Sequence, residues 1–123
     1  MSKSETYQNY LEAIYITSLK KGNVKAIDIV NYLNFSRPTV SIALKELAKE
    51  KYIEMSGYDI LLTESGKKIA EEMYERHEYI AKLLIHFGVN NKTAYEDSCL
   101  IEHDLSKESF EAIKKATKHI KLK

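Results

Sequence analysis

A single cysteine, Cys99, stands in this chain of 123 residues, which excludes an intramolecular disulfide framework. That thiol is a small buried hydrophobe, a reactive group or a metal ligand. No uninterrupted apolar stretch approaches the roughly 20 residues that a transmembrane helix needs. The N-terminus, Met1-Ser2-Lys3-Ser4-Glu5, lacks the apolar centre of a signal peptide, so a cytoplasmic location without a membrane partner is expected. An excess of one charge is also missing, the formal net charge being +1. Nucleic-acid binding would therefore need a locally basic face, two copies in a dimer, or helix N-termini directed at phosphates. Repeats and low-complexity tracts are absent. So are a phosphate loop, a zinc-hydrolase motif and any nucleophile, base and orienter set, and the Glu102-His103 and His77-Glu78 pairs lack the companions that catalysis requires. An enzyme is not expected.

What is present is helical periodicity. Tyr7, Tyr10, Leu11, Ile14 and Tyr15 recur at three and four, which predicts an amphipathic helix over 5–20 stopped by Gly22. A second helix is expected over 25–33, with Ala26, Ile29, Val30 and Leu33 inward. Asn34-Phe35 then leads to Ser36-Arg37-Pro38, a capping hydroxyl with proline in the first turn of a third helix running to about Glu50. Val40, Ala43, Leu44 and Leu47 form its inward stripe. Two short strands, 52–55 and 60–62, are expected to join across Ser56-Gly57-Tyr58-Asp59, with Tyr52 and Tyr58 as packing residues of the hairpin. Thr63 caps a long fourth helix through Phe87, ended by Gly88. Asn90 or Asn91 opens a fifth helix to about Asp104, and Ser106 caps a sixth to about His119.

Helix, short turn, helix and hairpin is the winged helix-turn-helix order. The fold class is therefore mainly α, a winged helix-turn-helix DNA-binding domain (1–70) followed by an α-helical domain (71–123). A recognition helix needs small polar groups and a basic residue at the end that enters the major groove. Ser36, Arg37, Thr39 and Ser41 supply them, Pro38 and Ile42 offer apolar contacts to thymine methyl groups, and Lys45 faces the same way. Further along, Cys99, Glu102 and His103 fall at i, i+3 and i+4 on one helix face, a thiolate, a carboxylate and an imidazole suited to a first-row divalent metal. On spacing alone, a core cysteine beside a solvated Glu-His pair remains the favoured reading.

The chain resembles the diphtheria toxin repressor and manganese transport regulator family of metal-dependent repressors over nearly its whole length. The resemblance is carried by Tyr10-Leu11-Glu12-Ala13-Ile14-Tyr15, Pro38-Thr39-Val40-Ser41, Leu62-Thr63-Glu64-Ser65-Gly66, Arg76-His77-Glu78 and Cys99-Leu100-Ile101-Glu102-His103 followed by Leu105-Ser106. It implies that Asn9, Glu12, His77, Cys99, Glu102 and His103 occupy metal-ligand positions, and that Ser36, Pro38, Thr39 and Ser41 occupy positions that touch DNA. Asn9 stands where the family usually has an acid or a methionine, and Ala81 and Tyr95 stand where the iron-responsive branch places additional ligands. With its end at Lys123, the chain resembles the short, two-domain branch.

A metal with ligands from both domains is expected to fix the spacing of two recognition helices in a homodimer on a double-stranded operator, controlling iron or manganese homeostasis genes. The thiolate tilts the expected metal towards Fe(II) over Mn(II). The homodimer follows from Ile69, Met73, Ile80, Leu83, Leu84, Leu100, Ile101, Phe110 and Ile113, more apolar surface than a small winged module covers. The alternative is a metal-independent winged-helix repressor that senses an organic ligand or redox state through Cys99. His86 and His119 carry no assignment, and the lysine-rich end is expected to be a solvated terminus, with contact to phosphates as the alternative.

Overall fold

The computed structural model describes residues 3–122. Its elements are α1 (Lys3–Lys21), α2 (Ala26–Leu33), α3 (Arg37–Lys49), β1 (Ile53–Ser56), β2 (Asp59–Leu62), α4 (Glu64–His86), α5 (Asn91–Asp104) and α6 (Lys107–Ala116). They gather into two units, Met1–Glu72 and Met73–Lys123, and the division falls within α4. Among the described residues, no helix is long and apolar enough to cross a membrane.

The first unit is built by three stripes converging on one core. Tyr10, Leu11 and Ile14 of α1, Ile29 of α2, and Val40, Leu44 and Leu47 of α3 are buried together with Ile53 and Ile60 of the hairpin. Each such side chain contributes about 1.5–3 kcal/mol when fully buried. Local chemistry sets the boundaries. Gly22, at φ +87°, stops α1. The Asp28 carboxylate accepts from the backbone N–H of Lys25 at 2.8 Å and from Lys21 Nζ at 2.9 Å, fixing the start of α2. Asn34 ends α2 in the left-handed region at φ 58°, a conformation that asparagine tolerates better than most residues. Ser36 Oγ then accepts from Thr39 N at 3.2 Å and opens α3 with Pro38 in its first turn.

β1 and β2 pair antiparallel, Ile53 with Leu62 through Ser56 with Asp59. The two-residue turn is Gly57-Tyr58, with Gly57 at φ +63°. One strand-like pairing escaped the sequence. Ile60 N donates to Val24 O at 2.7 Å, and Lys25 bridges to Asp59, so the hairpin is fastened to the link between α1 and α2. Tyr52 packs edge-on against Tyr7, ring centroids 6.0 Å apart, as a packing residue should. Tyr58 does not pack: it is 85% exposed at the turn, because the tight reversal turns its ring out to solvent.

In the second unit, Asn90 Oδ1 accepts from Thr93 N at 2.9 Å and opens α5, and Ser106 Oγ accepts from Ser109 N at 3.0 Å and opens α6. The sixth helix stops at Ala116 rather than near His119. Thr117 leaves helical dihedrals, and its hydroxyl binds Ile113 O at 2.7 Å and the Tyr79 hydroxyl at 2.5 Å, competing with the backbone ladder. Of the apolar residues expected to be left over, Met73, Ile80, Leu83 and Phe110 are buried within the chain, whereas Leu100 is 71% and Ile101 36% exposed.

Candidate metal centre and DNA-reading face

Two helices of the second unit bring four of the expected ligands together. His77 comes from α4; Cys99, Glu102 and His103 come from the last two turns of α5. Glu102 is 1% exposed, and each of its oxygens meets an imidazole. Oε2 lies 3.2 Å from His77 Nδ1 and Oε1 lies 3.2 Å from His103 Nε2. Cys99 Sγ lies 3.5 Å from the same His77 Nδ1, with its residue exposed at the edge of the cluster.

A carboxylate this buried is costly unless cations or donors compensate it. Two protonated imidazoles could do so, and so could a metal ion. Donors about 2.1–2.3 Å from one ion, arranged tetrahedrally or octahedrally, stand roughly 3.0–3.8 Å from one another. The separation of His77 Nδ1 from Glu102 Oε2 matches that range, so this pair fits a first-row divalent ion, and Cys99 Sγ stands at a similar distance from Nδ1. Among the described residues, neither Cys99 nor His103 joins that pair in a group whose donor atoms all lie within 4.8 Å of one another. Asn9 and Glu12, the other two expected ligands, lie on α1 in the first unit, half-buried and buried respectively.

Sequence reasoning missed the residues that hold the candidate ligands. Arg76 reaches from α4 to the carbonyls of Glu102 and Leu105, and Ser98 Oγ donates to His77 O at 2.5 Å. Tyr95 lies with its ring centroid 5.4 Å from that of His77, and its hydroxyl donates to Glu78 Oε2 at 2.9 Å. Burial first, and then the Glu78 carboxylate, push the Tyr95 phenol above its ordinary pKa. The motif Arg76-His77-Glu78 was a signal for the first of these, but only the crossing of α4 and α5 shows what Arg76 reaches.

On the first unit, Ser36, Arg37, Pro38, Thr39, Ser41, Ile42 and Lys45 are all exposed on α3 and its cap, with Ile42 at 61%. Ser36 and Thr39 hydroxyls are 2.8 Å apart, so the cap is ordered while its helix end remains open to a phosphate. Arg37, Ser41 and Lys45 also line one side of a cleft of about 460 Å³ whose other walls include Ile27 and Val30 of α2 and Met55 of β1. The face thus offers cations and hydroxyls beside apolar surface, the combination that direct reading of base edges and thymine methyl groups uses.

Comparison with known proteins bears on both halves. The family described as iron dependent repressor, N-terminal DNA binding domain, matches residues 3–61, and that described as iron dependent repressor, metal binding and dimerisation domain, matches residues 63–123. The transcriptional regulator MntR of Salmonella typhimurium is 32% identical over 111 residues, covering 89% of this chain and 71% of the relative. An uncharacterized HTH-type transcriptional regulator of Methanocaldococcus jannaschii is 34% identical over 115 residues, 90% of this chain and 91% of its own length. Among solved structures, the manganese regulator SloR superposes with a TM-score of 0.78 at 26% identity over 94% of this chain. This chain spans 54% of the length of SloR.

Proposed function

Because the chain belongs to the iron-dependent repressor family of metal-dependent transcriptional regulators, we propose that it is a homodimeric repressor whose operator binding is switched on by a divalent metal. Residues 1–70 read double-stranded DNA through Ser36, Arg37, Pro38, Thr39, Ser41, Ile42 and Lys45. Residues 71–123 bind the metal and dimerise, with the exposed Leu100 and Ile101 as apolar surface available to a second copy. The observation that carries the reading is Glu102, buried with an imidazole on each carboxylate oxygen and with the Cys99 thiol beside one of those imidazoles.

His77, Cys99, Glu102 and His103 would hold the ion, and Glu12 and Asn9 would add oxygen ligands from α1. The bound ion supplies positive charge to a buried carboxylate and a fixed coordination geometry. Its effect on DNA binding is a population shift: metal favours the DNA-competent arrangement only as far as it binds that arrangement more tightly. In a dimer, that arrangement must set the two recognition helices about 34 Å apart, one turn of DNA, or a multiple of it.

The choice of metal rests on two opposed features. The thiol of Cys99 pulls towards Fe(II), while the buried nitrogen and oxygen donors suit Mn(II), and SloR is described as a manganese regulator. Availability in the cytoplasm then decides between them, and the regulated genes are those of iron or manganese homeostasis. The test is Mn(II) uptake followed by electron paramagnetic resonance of the free aqua ion, in the natural protein and in Glu102→Gln. The natural protein is expected to withdraw Mn(II) from solution and the variant to leave it free; equal uptake overturns the assignment.

A further inference from the structure

We infer that Arg76 is a positioning residue for the metal centre: its guanidinium fixes the last turn of α5, which carries Glu102 and His103, against α4, which carries His77. The inference rests on the metal-centre reading given above.

Arg76 Nη1 donates to Leu105 O at 2.7 Å and to Glu102 O at 3.3 Å. Both acceptors lie at the C-terminal end of α5, where the last four carbonyls of a helix have no partner within it and a cation is favoured by the helix dipole. The guanidinium is itself held, its central carbon lying 5.3 Å from the centroid of the Phe110 ring. A second tie runs the other way. Ser98, fully buried on α5, donates its hydroxyl to His77 O on α4 at 2.5 Å.

The two ties have a reciprocal pattern. The residue before one ligand, His77, grips the backbone of another, Glu102. The residue before a third, Cys99, grips the backbone of His77. Two crossed ties at different heights restrain both the slide and the rotation of α5 on α4, and those are the motions that would open the 3.2 Å separation of His77 Nδ1 from Glu102 Oε2.

Charge and geometry predict opposite outcomes when Arg76 is replaced. A fixed positive charge near a cation site weakens cation binding by Coulomb repulsion alone, so deleting it should strengthen binding if charge were all that mattered. If Arg76 positions the ligands, deleting it weakens binding. Lysine keeps the charge but not the planar fork that reaches two carbonyls.

The test uses the full chain under anaerobic conditions, as the natural protein, Arg76→Lys and Arg76→Met. Mn(II) affinity is read from the resonance of the free aqua ion, ligand geometry from the Co(II) ligand-field absorption bands, and folding from thermal melting without metal. Arg76→Lys is expected to bind Mn(II) about 10-fold more weakly with shifted Co(II) bands, and Arg76→Met at least as weakly. Affinity of folded Arg76→Lys within about twofold of the natural protein and unchanged Co(II) bands overturns the inference, as does tighter binding by Arg76→Met. Should Arg76→Met fail to fold, Arg76→Lys decides alone. A natural protein that takes up neither ion overturns the metal-centre reading itself, and this inference with it.

Discussion

Gly66, in the first turn of α4, lies so close to Tyr52 that a Cβ built on it would stand 2.0 Å from the Tyr52 carbonyl oxygen. The approach is held by Thr63, whose N–H donates to that same oxygen at 3.1 Å and whose hydroxyl donates to Lys51 O at 2.7 Å while accepting from Gly66 N at 3.2 Å. Backbone cannot yield here as a flexible side chain would. Gly66→Ala should therefore destabilise the protein by about 1–3 kcal/mol, although alanine is the better helix former by about 1 kcal/mol. Thermal unfolding checks this, and an unchanged or raised midpoint contradicts it.

Cys99 places a soft thiol 3.5 Å from His77 Nδ1, at the exposed edge of the nitrogen and oxygen groups proposed to hold the metal. Replacing sulfur by oxygen hardens the set, so Cys99→Ser should lose affinity for Co(II) and Zn(II) by a larger factor than for Mn(II). Competition titrations of the two proteins against one chelator measure the ratio. Equal losses for all three ions would remove the thiol from the coordination shell.

Lys45 and Thr39 are both exposed on α3, yet they should behave differently on DNA. Lys45→Ala should weaken binding to specific and nonspecific DNA alike and reduce the slope of log affinity against log salt by about 1 for each phosphate that the ammonium neutralises. Thr39→Ala should leave that slope unchanged and relax the sequence preference, costing on the order of 1–3 kcal/mol on the preferred operator only. A salt series on two DNA sequences separates them. A Lys45→Ala slope equal to that of the natural protein excludes a phosphate partner for this lysine.

Much of the fold and of the candidate site was legible in the sequence because it is periodic or local. The stripe Val40, Leu44 and Leu47 and the caps at Ser36, Asn90 and Ser106 stand where spacing and residue type put them. So does the placement of Cys99, Glu102 and His103 on one turn-to-turn face. What stayed hidden depends on packing between segments remote in sequence. Pairing of Ile60 with Val24 adds a third strand-like segment that no local pattern announces, and Arg76 meets Glu102 only through the packing of α4 on α5. Burial also redistributes the apolar surface: Phe110 serves the unit's own core beside Tyr79, leaving fewer residues for a dimer than the sequence suggests.

At the start of α2, the Lys25 backbone N–H and then the Lys21 ammonium hold the Asp28 carboxyl below its ordinary pKa of 3.8. A depressed folded-state pKa means stabilisation that is present above the ordinary value and lost as pH falls through the folded one. The group is largely solvated, so the effect is small, on the order of a few tenths of a kcal/mol. Asp28→Asn should melt slightly below the natural protein at neutral pH, with the gap closing as the solution is acidified below pH 3.8. A gap that persists undiminished in acid would show that charge is not its source.

The most direct measurement is fluorescence anisotropy of a labelled DNA fragment from upstream of the protein's own coding region. The fragment is titrated anaerobically with protein in chelator, in Mn(II) and in Fe(II). Tight, saturable binding in metal and none at the same protein concentrations in chelator is the predicted result, and the ion effective at the lower concentration names the effector. Equal binding in chelator would contradict a metal-switched repressor and leave a winged-helix protein that reads DNA without metal.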